Sequence, residues 1–226
     1  MENHESVSDP KFAPLARAWM QDPANSLLGF VWKAYDAMLL QRPLVDPRDV
    51  ERSITQLLEP RIRSLMTGYE PFYIQHSPFE RETMASPPAQ PPAYDLAFVL
   101  FADERIMWPL EAKVLDTPGT LAEYEKEIRE QFLTCRYAPF TSSGAMLGYL
   151  LTGSASDALS RIAVRLAVPL EVMPSFSDRP NRFSKHRRLV PDGKSYSTDF
   201  VCYHLILEYP FVVRHKNLFA LPSDRS

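Results

Sequence analysis

A chain of 226 residues with 45% hydrophobic and 23% charged side chains has the mixture of a globular domain with a sizeable core, which excludes disordered and fibrous classes. With 25 Lys and Arg against 28 Asp and Glu the net charge is −3, so affinity for nucleic acid has to come from a local patch. Glycine is scarce, 7 against 21 prolines, and none of the phosphate or nucleophile loops GxxxxGKS/T, GxGxxG or GxSxG occurs, which counts against nucleotide-driven machines, dinucleotide-binding dehydrogenases and α/β-hydrolases. Cys135 and Cys202 are too few for a disulfide framework or a structural zinc site. The longest apolar run, Leu96 to Ala102, is too short to cross a bilayer, and the opening MENHESVSDP is polar and acidic, unlike a secretory leader. A reducing cytoplasm is the expected location, with no membrane partner.

Residues 1–45 read as a helical lead-in and 46–226 as the main domain. Leu28, Val31, Trp32, Tyr35, Met38 and Leu39 recur at helical spacing over Asn25 to Leu40. A second helix is expected with Asp46 as cap, Pro47 in its first turn, a stripe from Val50 to Leu65, and Gly68 past its end. Short strands are expected at Phe72–Gln75 and Phe79–Thr83, then a proline-rich loop over Ser86–Pro92. Tyr94–Phe101 is apolar on both faces after Asp95, as a central strand should be. A turn at Asp103-Glu104 leads into a strand over Arg105–Leu115. Thr117-Pro118-Gly119-Thr120 opens a helix expected to reach Tyr137. A strand at Ala145–Leu151, a helix at Asp157–Ala167, a long basic loop over 174–197 and a strand at Thr198–Glu208 complete the chain. The order predicts an α/β or α+β single domain with a mixed sheet flanked by helices.

Three charges interrupt apolar strands. Asp95 begins one strand; Glu111 and Lys113, two residues apart in the next, share a face. A tight turn joins the strands, so they are expected to pair antiparallel and bring two carboxylates and an ammonium to one end of the sheet. Charge in such surroundings is costly unless paired, metal-bound or in a cleft. Two oxygen ligands with room for water suit Mg²⁺ or Mn²⁺. The competing reading is a buried ion pair that completes a sheet edge.

The pattern Asp95 … Glu111-Ala112-Lys113 resembles the D…(D/E)xK core of the PD-(D/E)XK, or restriction-endonuclease-like, nucleases. The likeness runs in order from about Glu51 to Tyr137: helix, strands, acidic hairpin, helix. It implies the fold of that family and a metal-dependent nuclease in which Asp95 and Glu111 hold the ion. Lys113 then orients the nucleophile or neutralises the phosphate. It further implies a glutamate from the preceding helix, best matched by Glu51 and next by Glu59, and a polar contribution from the following helix, matched by Gln131. Tyr94 stands where the family often carries proline. Pro109 lies inside the proposed catalytic strand, where it has no N–H to donate, so a bulge or an edge is expected there.

Arg179, Arg182, Lys185, His186, Arg187 and Arg188 crowd one segment with Phe183 among them, and Arg214, His215 and Lys216 form a smaller group. A positive loop beside an acidic metal site would hold a nucleic-acid backbone, DNA in preference to RNA; a solvated charge run is the plain alternative. Compact chains of this type resemble effectors of bacterial restriction or antiphage defence. Two sites would suit a homodimer cutting both strands, with the helix Asn25–Leu40 as one surface or else as core. A non-catalytic nuclease-fold subunit of a larger complex, binding nucleic acid or protein, is the rival. Cys202, His204, Trp32 and Trp108 read as core.

Overall fold

The computed structural model describes residues 23–83 and 91–210. Helix α1 (Ala24–Gln41) buries Leu27, Leu28, Val31, Trp32, Tyr35 and Met38 and ends where Arg42 turns left-handed, at φ 46°. Helix α2 (Val50–Leu65) starts later than its sequence suggests. Asp46 is occupied by a turn, accepting from the Arg48 backbone N–H at 2.9 Å, and Asp49 is the cap, accepting from the Arg52 N–H at 3.3 Å.

Seven strands form one mixed sheet: β1 (Phe72–His76), β2 (Leu96–Leu100), β3 (Met107–Val114), β4 (Ser143–Leu150), β5 (Glu171–Val172), β6 (Asn181–Arg187) and β7 (Asp199–Glu208), in the order β1-β2-β3-β4-β7-β6-β5. The pairs β3–β4 and β4–β7 are parallel and the others antiparallel. The central strands β2 and β4 are buried along their whole length, which is why their sequences are apolar on both faces. Helices α1 and α2 cover one face, packing on Phe98, Trp108, Leu110, Leu147 and Leu205. Helices α3 (Pro118–Glu127) and α4 (Ala155–Leu166) cover the other, on Ala97, Val99, Met146, Phe200 and Ile206. Helix α1 shares one core with α2 and the sheet, so residues 24–41 belong to the domain, and their aromatic side chains serve as core.

Several expectations are corrected. Phe79–Thr83 is not a strand; it makes a single bridge, Phe79 to Ala93, because Glu80 turns inward. Pro109 stands neither at a bulge nor at an edge. The β2–β3 register runs unbroken past it, Ala97 facing Pro109, and the β3–β4 ladder begins one residue later at Leu110, so the missing N–H is not needed. The helix expected to reach Tyr137 leaves α geometry after Glu127. A π-helical turn, Ile128–Phe132, closes with Leu133 N–H donating to the Ile128 carbonyl at 2.9 Å. Left-handed Cys135 and Ala138 then redirect the chain. Part of the loop expected over 174–197 is strand β6. Residues 86–90 of the proline-rich loop and Arg214, His215 and Lys216 lie outside the described residues.

Candidate active site

The antiparallel register sets Leu96 against Leu110; continued by one residue, it sets Asp95 against Glu111. Asp95 is fixed there by its own bonds. Its Oδ2 accepts from the Ala112 N–H at 2.8 Å, and its carbonyl accepts from the Ser77 N–H at 3.0 Å. Glu111 and Lys113 alternate with Leu110 and Ala112, which face α1 and α2, so the two charges lie on the α3 side of the sheet.

Glu51 arrives from α2. Thr55, four residues on, donates to the Glu51 carbonyl at 2.8 Å and bonds the Tyr149 hydroxyl at 2.8 Å, tying the first turn of α2 to β4. Glu51 Oε2 then accepts from the Val114 N–H at 3.0 Å, and Oε1 lies 3.5 Å from Lys113 Nζ. Lys113 Nζ stands 3.2 Å from Glu111 Oε1 and 4.0 Å from Glu127 Oε1. Three carboxylates therefore pair with one ammonium, and Asp95 adds a fourth negative charge nearby. Glu59 does not take part; it pairs with Arg63 along α2.

The electrostatics follow from this imbalance. Burial, then the charge of Asp95, pushes the Glu111 carboxyl well above its ordinary pKa, against the pull of Lys113. Burial also raises Glu51 and Glu127, with Lys113 opposing and Asp95 adding. Burial alone would lower Lys113, but Glu111, Glu51, Asp95 and Glu127 together reverse this and hold it above the usual lysine value. Lys113 is thus a fixed cation and a hydrogen-bond donor at neutral pH, not a base.

Tyr137 walls the cluster: burial and the nearby Glu111, Glu127 and Asp95 raise its hydroxyl, which donates to the Ala93 carbonyl at 2.7 Å. Gln131, within the π-helical turn one helical turn past Glu127, has a buried side-chain oxygen with no hydrogen-bond partner; Glu111 Oε2 is in the same condition. Two orphaned oxygens in a region of excess negative charge are what a bound cation would satisfy.

Among the described residues no group of three or more His, Cys, Asp and Glu is arranged to hold a metal ion. The donor set nevertheless fits Mg²⁺ or Mn²⁺ through Asp95 and Glu111, because such ions keep several waters and bind through one or two carboxylates. Glu51, expected as a further ligand, instead has a donor on each oxygen and acts as the counter-ion of Lys113. Glu127, which also approaches Lys113, lies outside the sequence pattern.

The basic segment is not beside this cluster. On β6 it is three strand positions from β3, about 14 Å at the usual strand spacing. Arg179 makes two 2.7 Å bonds to Asp36 and lies over the Trp32 ring; Lys185 pairs with Glu171, and Arg187 with Asp199. Arg182 donates to the Asn181 carbonyl at 2.7 Å. His186 Nε2 lies 2.6 Å from Ser184 Oγ, which is 2.8 Å from His204 Nε2, and His204 Nδ1 is 2.9 Å from the Tyr124 hydroxyl. Arg188, expected at a phosphate, is buried and gives its N–H groups to four backbone carbonyls, which corrects that expectation. No helix among the described residues is long and apolar enough to cross a membrane. Compared with protein-family models, curated proteins and solved structures, the chain matches none.

Proposed function

We propose that the chain is a metal-dependent nuclease that hydrolyses phosphodiester bonds, DNA in preference to RNA, on a restriction-endonuclease-like fold, as an effector of bacterial restriction or antiphage defence. The observation that carries this reading is the meeting of Asp95, Glu111 and Lys113 at the end of an antiparallel pair, with excess negative charge and an unpartnered Glu111 oxygen. An ion pair kept only for stability would balance its charges and satisfy its oxygens.

Asp95 and Glu111 would hold Mg²⁺ or Mn²⁺. A divalent ion so bound acidifies water and offsets charge developing on a phosphate. Lys113 donates to the attacking oxygen or to a phosphate oxygen, since it stays protonated. Glu51 and Glu127 aim the ammonium. Tyr137 keeps the buried side of the site dry. The exposed pairs of Lys185 and Arg187 are weak in water, so these side chains can exchange a carboxylate for a phosphate.

The test is cleavage of plasmid DNA, single-stranded DNA and RNA with Mg²⁺ or Mn²⁺ by the wild type, Lys113→Ala and Glu111→Ala. Metal-dependent cutting is expected, with each substitution lowering the rate by about a hundredfold or more and circular dichroism unchanged. The ion pairs around Lys113 favour one rival, a non-catalytic subunit of the same architecture. Mn²⁺ calorimetry separates the two: binding that Glu111→Ala abolishes supports the nuclease, and a wild type that binds no metal removes it.

A further inference from the structure

We propose that Arg188 is a positioning residue for the carboxylate cluster: one buried guanidinium holds residues 132–141 in the conformation that sets Tyr137 against Asp95, Glu111 and Glu127 and buries the Gln131 oxygen. This rests on the reading of that cluster as an active site.

The geometry is that of a clamp. Arg188 Nε donates to the Phe132 carbonyl at 2.9 Å, Nη1 to Thr141 at 2.9 Å, and Nη2 to Tyr137 at 2.7 Å and Ala138 at 2.8 Å. The guanidinium lies over the Phe200 ring, 4.6 Å from its centroid. Among the described residues no carboxylate forms an ion pair with it, so the carbonyl dipoles and the face of the Phe200 ring do most to compensate the buried charge. Four carbonyl oxygens aimed at one point repel each other unless a cation sits there. The planar fork of arginine reaches all four at once, which a lysine ammonium does not.

The segment needs such a clamp. Cys135 and Ala138 have φ of 60° and 52°, conformations that cost a residue with a Cβ about 1–3 kcal/mol each. Arg188 grips the chain on both sides of Cys135 and at Ala138 itself. From the opposite direction the Tyr94 hydroxyl accepts from the Ala138 N–H at 2.9 Å and bonds buried Glu80, and Tyr94 directly precedes Asp95. Leu189 adds a bond from its N–H to the Leu133 carbonyl at 2.7 Å. From the held segment the Tyr137 N–H donates back to the Gln131 carbonyl at 2.9 Å. The end of β6 therefore fixes a loop whose side chains serve a site at β3. In sequence Arg188 looks like its surface neighbours Arg187 and Lys185; its burial separates it from them.

The experiment uses the full chain and Arg188→Lys, which keeps the charge and loses the fork; Arg188→Met leaves four carbonyls without a donor and is the variant at risk of not folding. Hydrogen exchange followed by mass spectrometry should show residues 132–141 of Arg188→Lys exchanging roughly tenfold faster or more, with β4 and β7 as protected as in the wild type. In cleavage assays kcat should fall about tenfold or more with KM for plasmid unchanged, and Arg188→Lys combined with Gln131→Ala should lose less than the product of the two single losses. Unchanged exchange in 132–141, wild-type kcat, or losses that simply multiply in the double variant would each overturn the proposal. Should the wild type bind Mn²⁺ without cutting, exchange and a weaker Mn²⁺ affinity in Arg188→Lys decide together. A wild type that neither cuts nor binds the ion sinks the active-site reading, and with it the positioning role, whatever exchange shows.

Discussion

The carboxylate–lysine cluster at β2 and β3 and the Tyr124–His204–Ser184–His186 chain at β7 and β6 lie on one face of one sheet, yet they handle buried polarity in opposite ways. In the histidine chain each hydrogen between neighbouring members can be assigned an acceptor. Tyr124 O–H donates to His204 Nδ1, His204 Nε2–H to Ser184 Oγ, and Ser184 O–H to His186 Nε2. Both imidazoles stay neutral; burial lowers the His204 pKa to about 3, and burial, then Arg129, lowers His186. The cluster instead sets three carboxylates against one ammonium, with Asp95 a fourth negative charge nearby, and leaves Glu111 Oε2 without a partner. A neutral, closed network stabilises the sheet; a charged, open one destabilises it and makes sense only for a group that arrives later.

The largest expected effects, about 3 kcal/mol each, are those of the buried titratable groups, His204 first. Its folded-state pKa of about 3 lies below the ordinary 6.5, so the neutral ring contributes stability that is present above pH 6.5 and lost as the pH falls toward 3. Between pH 7.5 and 4.5 that contribution drops by about 3 kcal/mol. Urea unfolding of wild type and His204→Gln at both pH values should show the wild-type advantage shrinking by that amount. An advantage independent of pH would mean that His204 is charged or exposed and that the two networks are not opposites.

Glu80 slopes the other way. Burial, against hydrogen bonds from Tyr94 and the Glu82 and Arg81 backbone, pushes its carboxyl up to about 7. The protonated form favours the fold, so its contribution is complete below pH 4.5 and lost as the pH rises through 7. Relative to wild type, Glu80→Gln should gain about 3 kcal/mol between pH 4 and pH 8, again read from urea midpoints. No gain would place the carboxyl in water.

Much of the cluster was legible in sequence, and the reasons are geometric. Period-two alternation and a tight turn suffice to place Asp95, Glu111 and Lys113 together, and the helical stripe through Ile54 and Leu58 suffices to turn Glu51 toward the sheet. Glu127 was hidden among the glutamates of α3. The one signal was spacing: it follows buried Tyr124 by three residues and precedes Gln131 by four, and so shares their face. Strand β6 reads as a loop in sequence because the charges that keep a strand near a sheet edge soluble look like those of a loop. Arg188 reads as a surface residue for a related reason, since composition does not distinguish a buried arginine from an exposed one. The π-helical turn escaped because Ile128, Phe132 and Cys135 stay buried at helical spacing while the backbone beneath them changes course.

Within the cluster the two partners of one ion pair should respond with opposite signs. Lys113→Met removes the cation paired with Glu51, Glu111 and Glu127 and should cost about 3 kcal/mol at pH 8, less at pH 5 where carboxylates take up protons. Glu111→Gln should do the reverse and is the smaller effect. Its raised folded-state pKa means that the ionised form burdens the fold above the ordinary carboxylate range, so neutralising it should stabilise the metal-free chain at pH 8 by about 1 kcal/mol. Lys113 keeps Glu51 and Glu127 as counter-ions, so no new unpaired charge is created. Thermal denaturation at pH 8 in chelator, with and without the substitution, reads the sign directly. A higher midpoint in Glu111→Gln, lost or reversed when Mn²⁺ is added to both proteins, is the behaviour of a carboxylate placed for a ligand at the expense of stability. A lower midpoint in chelator would make Glu111 a structural partner of Lys113 and bring the cluster into line with the histidine chain.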